Sequence, residues 1–160
     1  MARQPSIVQG GMGVAVSNWR LARAVSRPGQ LGVVSGTAIE IVCARRLQDG
    51  DAGGHLRRAL QHVPIPGIAE QVLGTYYLPE GRPPGAPYRP VLRFCLDPSP
   101  AAEKLAVAAA FAEVYLAKQG HDRLVGINLL RKIEFPILAQ LYGAMLAGVD
   151  HVLMGAGNPG

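Results

Sequence analysis

An α/β fold with a parallel sheet is predicted by three features of the sequence. Short apolar runs alternate with helical segments along the chain, which implies right-handed βαβ units. One run, Leu31 to Val34, is apolar at consecutive positions, as in strands buried on both faces. Glycine or small polar residues close the runs: Gly10, Gly11 and Gly13 after the first, Ser35-Gly36-Thr37 after the second, Asn128 near the end of the third, and Gly-Ala-Gly after the fourth.

The elements follow in order. Ser6 to Gln9 reads as a short strand. Ser17 or Asn18 can cap a helix carrying Trp19, Leu21, Ala22, Ala24 and Val25, and Pro28-Gly29 stops it. After the Leu31 to Val34 strand, Thr37-x-x-Glu40 has capping-box spacing ahead of Ile41, Val42, Ala44 and Leu47, with Asp49-Gly50 as the stop. Leu56 to Val63 and Ile68 to Tyr77 read as two short helices separated by Pro64 and Pro66. Leu78 to Pro100 is dense in proline and predicts an extended excursion. Ser99-Pro100 fits an N-cap and first helical position of a long alanine-rich helix reaching Lys118 or Gln119, with Gly120 as its stop. Arg123 to Leu129 reads as strand, Pro136 to Ala147 as helix ending at Gly148, and His151 to Met154 as the fourth strand. Four parallel strands in the order 1-2-3-4 are therefore expected within one domain over residues 1–160.

Composition narrows the function. The chain of 160 residues is 49% hydrophobic and 17% charged, a globular balance. Its net charge of +5 comes from dispersed arginines with few aromatics, unlike a nucleic-acid surface. Cys43 and Cys95 lack a Cys-x-x-Cys neighbour and are expected to be buried, reduced thiols. No charged-then-apolar leader opens the sequence, and the most apolar stretch, Ala101 to Ala117, carries Glu103, Lys104 and Glu113. A cytoplasmic protein without a membrane span is the expectation.

The glycine-rich opening does not fit the dinucleotide fingerprint. Gly11-Met12-Gly13 is followed by Val16 where a third glycine or alanine belongs, and no acidic residue ends the second strand. Gly-Lys-Ser/Thr is absent, so a P-loop is excluded. Small and polar residues at the carboxyl ends of successive parallel strands are where (β/α)8 barrels build their sites. The segments PSIVQGGMGVAVSNWRLARAV, LGVVSGTA, VGINLL and YGAMLAGVDHVLMGAG together resemble the nitronate monooxygenase family, formerly called 2-nitropropane dioxygenases. The resemblance runs nearly end to end. It implies an FMN-binding TIM (β/α)8 barrel that oxidises alkyl nitronates with O2 to carbonyl compounds and nitrite. Carried over, it places the backbone of Gly10, Gly11 and Met12 against the isoalloxazine and the Asn128 amide on the flavin's polar edge. The bland reading of the same glycines is a tight strand-to-helix turn.

A (β/α)8 barrel typically needs about 250 residues and eight strands. The sequence holds about four βα units, so the expectation is an N-terminal half-barrel. By the resemblance, the proton-handling histidine and the phosphate loops after strands seven and eight fall outside it. No catalytic residue is therefore assigned. Two rivals stand beside nitronate oxidation: a flavin-dependent enoyl reductase of the same family, and a non-catalytic half-barrel. Open barrel edges predict self-association. His55, His62, His121 and His151 lack an accompanying carboxylate or thiol cluster and are read as structural, without a metal. Trp19, Tyr142 and Met145 are read as packing residues. Arg131-Lys132 is read as a solvated pair, and Thr37 as a cap.

Overall fold

The structure, a computed structural model, describes residues 4–92, 94–132 and 135–155. Of the Gly-Ala-Gly expected after the last strand, Ala156 and Gly157 lie outside the described residues. Three strands, β1 (Gly32–Ser35), β2 (Val125–Leu130) and β3 (His151–Gly155), form a parallel sheet in the order β1-β2-β3. Val34 stands opposite Ile127, and Asn128 opposite both Ser35 and Leu153. Six helices accompany them among the described residues: α1 (Trp19–Ser26), α2 (Ile39–Gln48), α3 (His55–Leu60), α4 (Ile68–Tyr76), α5 (Pro100–Lys118) and α6 (Ile137–Leu146). The chain is an α/β protein, and none of these helices is long and apolar enough to cross a membrane.

Two faces of the sheet do different work. Val34, Val125, Ile127 and Leu129 join the core with α5, whose residues from Ala102 to Ala117 are nearly all buried. Burying aliphatic side chains of this size stabilises the fold by roughly 1.5–3 kcal/mol each. The opposite face carries Val33, Gly126, Asn128 and Leu153, and a Cβ placed on Gly126 would touch both Val33 and Leu153 at 3.2 Å. The capping signals hold at two helices. Asn18 Oδ1 accepts from the Arg20 and Leu21 N–H groups at 2.9 and 3.3 Å, and Ser99 Oγ accepts from Ala102 N–H at 3.3 Å.

The first expected strand shrinks to a single parallel bridge between Val8 and Leu31. Its cause is Gln9. The side-chain Oε1 of Gln9 accepts from Val33 N–H at 2.9 Å, so a side chain occupies the donor that a continuing strand would have paired. The capping box also fails. Ala38 is the N-cap of α2 in the left-handed region, with no side-chain cap. Glu40 instead accepts from Gln140 Nε2 at 3.0 Å, which fastens α2 to α6. Cys95 is exposed, with its thiol donating to Asp97 O, whereas Cys43 is buried as expected. Among its described residues the proline-rich segment runs without strand or helix until α5, and it is pinned across the end of α2. Gln48, fully buried, accepts from Arg89 N–H at 2.6 Å, and Tyr88 Oη donates to Asp49 at 2.8 Å.

Tyr142 and Met145 do not pack. They are 51% and 62% exposed, and with Leu138 at 79% they form an apolar stripe along α6. The buried face of α6 is the other one, where Gly143 lies against the Val107 carbonyl of α5. A Cβ at Gly143 would overlap that backbone oxygen, so Gly143→Ala must push two helices apart. The expected loss is about 1–3 kcal/mol, beyond alanine's better helix propensity. Urea melts of the two chains measure it, and an equal or higher midpoint for Gly143→Ala would contradict the close crossing.

Candidate functional site

The site is assembled where the turn after Val8 crosses the carboxyl ends of β1 and β2. Gly11 is buried with a φ of +60°, and a Cβ there would strike the Val33 side chain and reach Asn128 Cβ at 3.0 Å. Only glycine satisfies both the left-handed backbone and the contact. The turn is held by a relay of side chains. Gln9 Nε2 donates to Ser17 Oγ at 2.8 Å, Ser17 Oγ donates to Met12 O at 2.8 Å, and Ser35 N–H donates to Ser17 O at 2.8 Å. Met12 itself is 69% exposed.

Gly10, Gly11 and Asn128 thus come together from positions far apart in the chain, and Met12 stands on the solvent side of them. Asn128 Nδ2 donates to the Gly10 carbonyl at 3.0 Å. Its Oδ1 is buried without a hydrogen-bond partner among the described residues. A Cβ at Gly155 would lie 3.3 Å from that oxygen, so glycine borders the amide on β3 as well. An acceptor withdrawn from water and left unpaired costs about 1–3 kcal/mol, and such groups commonly mark functional positions. Arg131 and Lys132 are exposed just beyond β2.

Beneath this end of β1 lies a buried ion pair. Glu113 projects from the middle of α5, and its Oε2 accepts from Trp19 N–H at 2.7 Å while Oε1 faces Arg46 Nη1 at 2.5 Å. Burial pushes the Glu113 carboxyl above its ordinary value, against the opposing pull of Arg46. The same surroundings push the Cys43 thiol up to about 12, through burial first and the Glu113 charge second, so Cys43 is no nucleophile.

Three of the four histidines make local contacts. His55 packs against Trp19 with ring centroids 4.9 Å apart, and burial followed by the Arg58 and Arg20 charges lowers its pKa. His62 Nδ1 lies 2.8 Å from Arg58 O, and His121 bridges Ala117 O and Arg123 N–H. Among the described residues no three His, Cys, Asp or Glu side chains converge in a way that could hold a metal ion.

Gln9, Ser17 and Glu113 are the site-supporting residues that the sequence pattern did not single out. A carboxylate set among the alanines and aliphatics of α5 was the available signal for Glu113, since an unpaired charge cannot stay buried there. No protein-family model matches the chain, and no curated protein or solved structure matches it either.

Proposed function

We propose that the chain forms the first strand–helix units of an FMN-binding (β/α)8 barrel that oxidises alkyl nitronates with O2 to carbonyl compounds and nitrite. The reading is carried by one observation. At the carboxyl end of a parallel sheet, a left-handed Gly11 without room for a Cβ lies beside Asn128, whose buried Oδ1 lacks a donor. Parallel α/β sheets place their ligands at that end. The residues fit a flat ring bearing an N–H group: glycine backbone at Gly10 and Gly11 permits close approach, and Asn128 Oδ1 supplies an acceptor. FMN, when bound, would take electrons from the nitronate and pass them to O2.

The chain's own residues hold and orient in this scheme. Gln9 and Ser17 fix the glycine turn, and Gly10 O holds the Asn128 amide in one orientation. Met12, exposed at the rim, covers the glycine turn from the solvent side. Nothing in this reading asks the chain to supply a catalytic base, because an ionised nitronate needs none.

The test has two readouts. Flavin fluorescence is followed as FMN is titrated into the chain, and nitrite is measured with a nitronate after residues 1–160 are joined to the C-terminal half of a complete homologous barrel. Gly11→Val is expected to abolish flavin retention, because a branched side chain enters the space against Val33. Asn128→Ala is expected to weaken it by about 0.5–1.5 kcal/mol, the worth of a neutral hydrogen bond. Far-UV circular dichroism checks that both variants fold. Unchanged flavin occupancy in a folded Gly11→Val chain would overturn the proposal.

A further inference from the structure

Gly155 closes β3 opposite Leu130, and its carbonyl accepts from Arg131 N–H at 2.9 Å. With Leu153 it stands on the sheet face that carries Asn128. Its backbone gives no reason for glycine, because its φ lies outside the left-handed region that Gly11 occupies at +60°. Close packing against main chain gives none either. A Cβ at Gly32 or Gly143 would strike a carbonyl oxygen, at 1.9 or 2.1 Å. At Gly155 the nearest atom is Asn128 Oδ1, at 3.3 Å.

That oxygen is, among the described residues, the only buried side-chain acceptor without a hydrogen-bond partner. The Asn128 Nδ2 group donates to Gly10 O at 3.0 Å, which fixes the amide and so fixes where Oδ1 faces. A donor nitrogen sits about 2.7–3.2 Å from its acceptor. A side chain at position 155 would set a carbon at the edge of that shell, and a carbon there satisfies nothing. Glycine leaves the shell to a donor from outside the chain.

We infer that Gly155 is a positioning residue for the ring of the proposed flavin: its missing side chain keeps the Asn128 acceptor open to a ring N–H group. The inference rests on the flavin reading and deepens it. It also sets the class of group accepted at this point. A ring that presents an acceptor there is refused, because two facing acceptors leave both without a donor.

The experiment titrates FMN into the full chain with flavin fluorescence as one readout, and urea melts of the same chains without FMN as the other. Gly155→Ala is expected to weaken FMN binding by about five- to tenfold, the worth of a neutral hydrogen bond. In an Asn128→Ala background Gly155→Ala should have no further effect on affinity, since the acceptor it blocks is gone. A purely structural role would instead make the two losses additive. Gly155→Ser should weaken FMN at least as much, yet melt at higher urea than Gly155→Ala, because its hydroxyl can donate to Oδ1. Wild-type FMN uptake that is unchanged in Gly155→Ala, or additive losses in the double variant, would overturn this inference and leave the flavin reading standing. A wild-type chain that takes up no FMN overturns both. Should Gly155→Ala fail to fold, wild-type affinity in Gly155→Ser overturns the inference alone.

Discussion

Glu113→Leu is expected to destabilise the chain by about 3–5 kcal/mol, the range seen when one partner of a buried ion pair is removed. Two losses combine. Arg46 keeps a charge whose partner is gone, and the Trp19 N–H at the start of α1 loses its acceptor. Arg46 retains 28% of its side-chain exposure, so water offsets part of the first loss. Glu113→Gln should cost less, because an amide oxygen can still accept from Trp19. A loss under about 1 kcal/mol in Glu113→Leu, the worth of a surface pair, would show that the clasp contributes little.

The same residue sets a pH dependence. Burial raises the Glu113 pKa in the folded chain above the ordinary 4.5, so its protonated form favours folding. This contribution is fully present below 4.5 and is lost as pH rises through the folded value. Denaturant melts at a series of pH values on both sides of 4.5 should show the wild type losing stability relative to Glu113→Gln as pH increases. A constant difference across the series would mean that Glu113 titrates as it does in the unfolded chain.

Local rules carried the helices and β2 and β3, where the deciding atoms are close in sequence. Asn18 and Ser99 cap the helices they precede, because an N-cap needs only a side-chain oxygen two or three residues from its donors. The parallel run at Val33-Val34 was legible because both faces are buried. Thr37 and Glu40 had the right spacing and still failed to form a box. The competing partner, Gln140, is 100 residues away and invisible to a local pattern. Gln9 shows the same limit, since its side chain ends a strand only by reaching Val33 across a turn. Tyr142 and Met145 had helical spacing, but α6 turns its small-residue face, with Gly143, toward α5. Periodicity marks a stripe as apolar without saying whether anything covers it. At the site, the residues expected to hold the flavin include three that the fold brings together, Gly10, Gly11 and Asn128. That the Asn128 amide spends a donor on Gly10 O and leaves its acceptor unpaired among the described residues is set by a contact across 118 residues of chain, beyond the reach of a local pattern.

That uncovered stripe leads to the other large effect, which is expected in the size of the particle. In solution the chain should be a dimer or a larger assembly. Among the described residues both ends of the sheet are open: Val8 turns its own N–H and C=O away from β1, and β3 pairs with β2 alone. Each edge carries exposed apolar residues, Ile7 and Val8 at one and Val152 and Met154 at the other, all between 41% and 61% exposed. Unpaired edges with apolar flanks associate. Because both edges are parallel strands of one chain, a two-fold axis along the strands lets β3 of one copy lie beside the Ile7–Gln9 segment of the next, twice over. Two such copies would approach the eight strands of a closed barrel. Light scattering after size exclusion measures the mass. Val152→Lys with Met154→Lys places charge on the β3 edge without touching a fully buried residue, and should shift the mass to that of a monomer. A wild-type monomer, or a double variant of unchanged mass, would show that these edges are not where the copies meet.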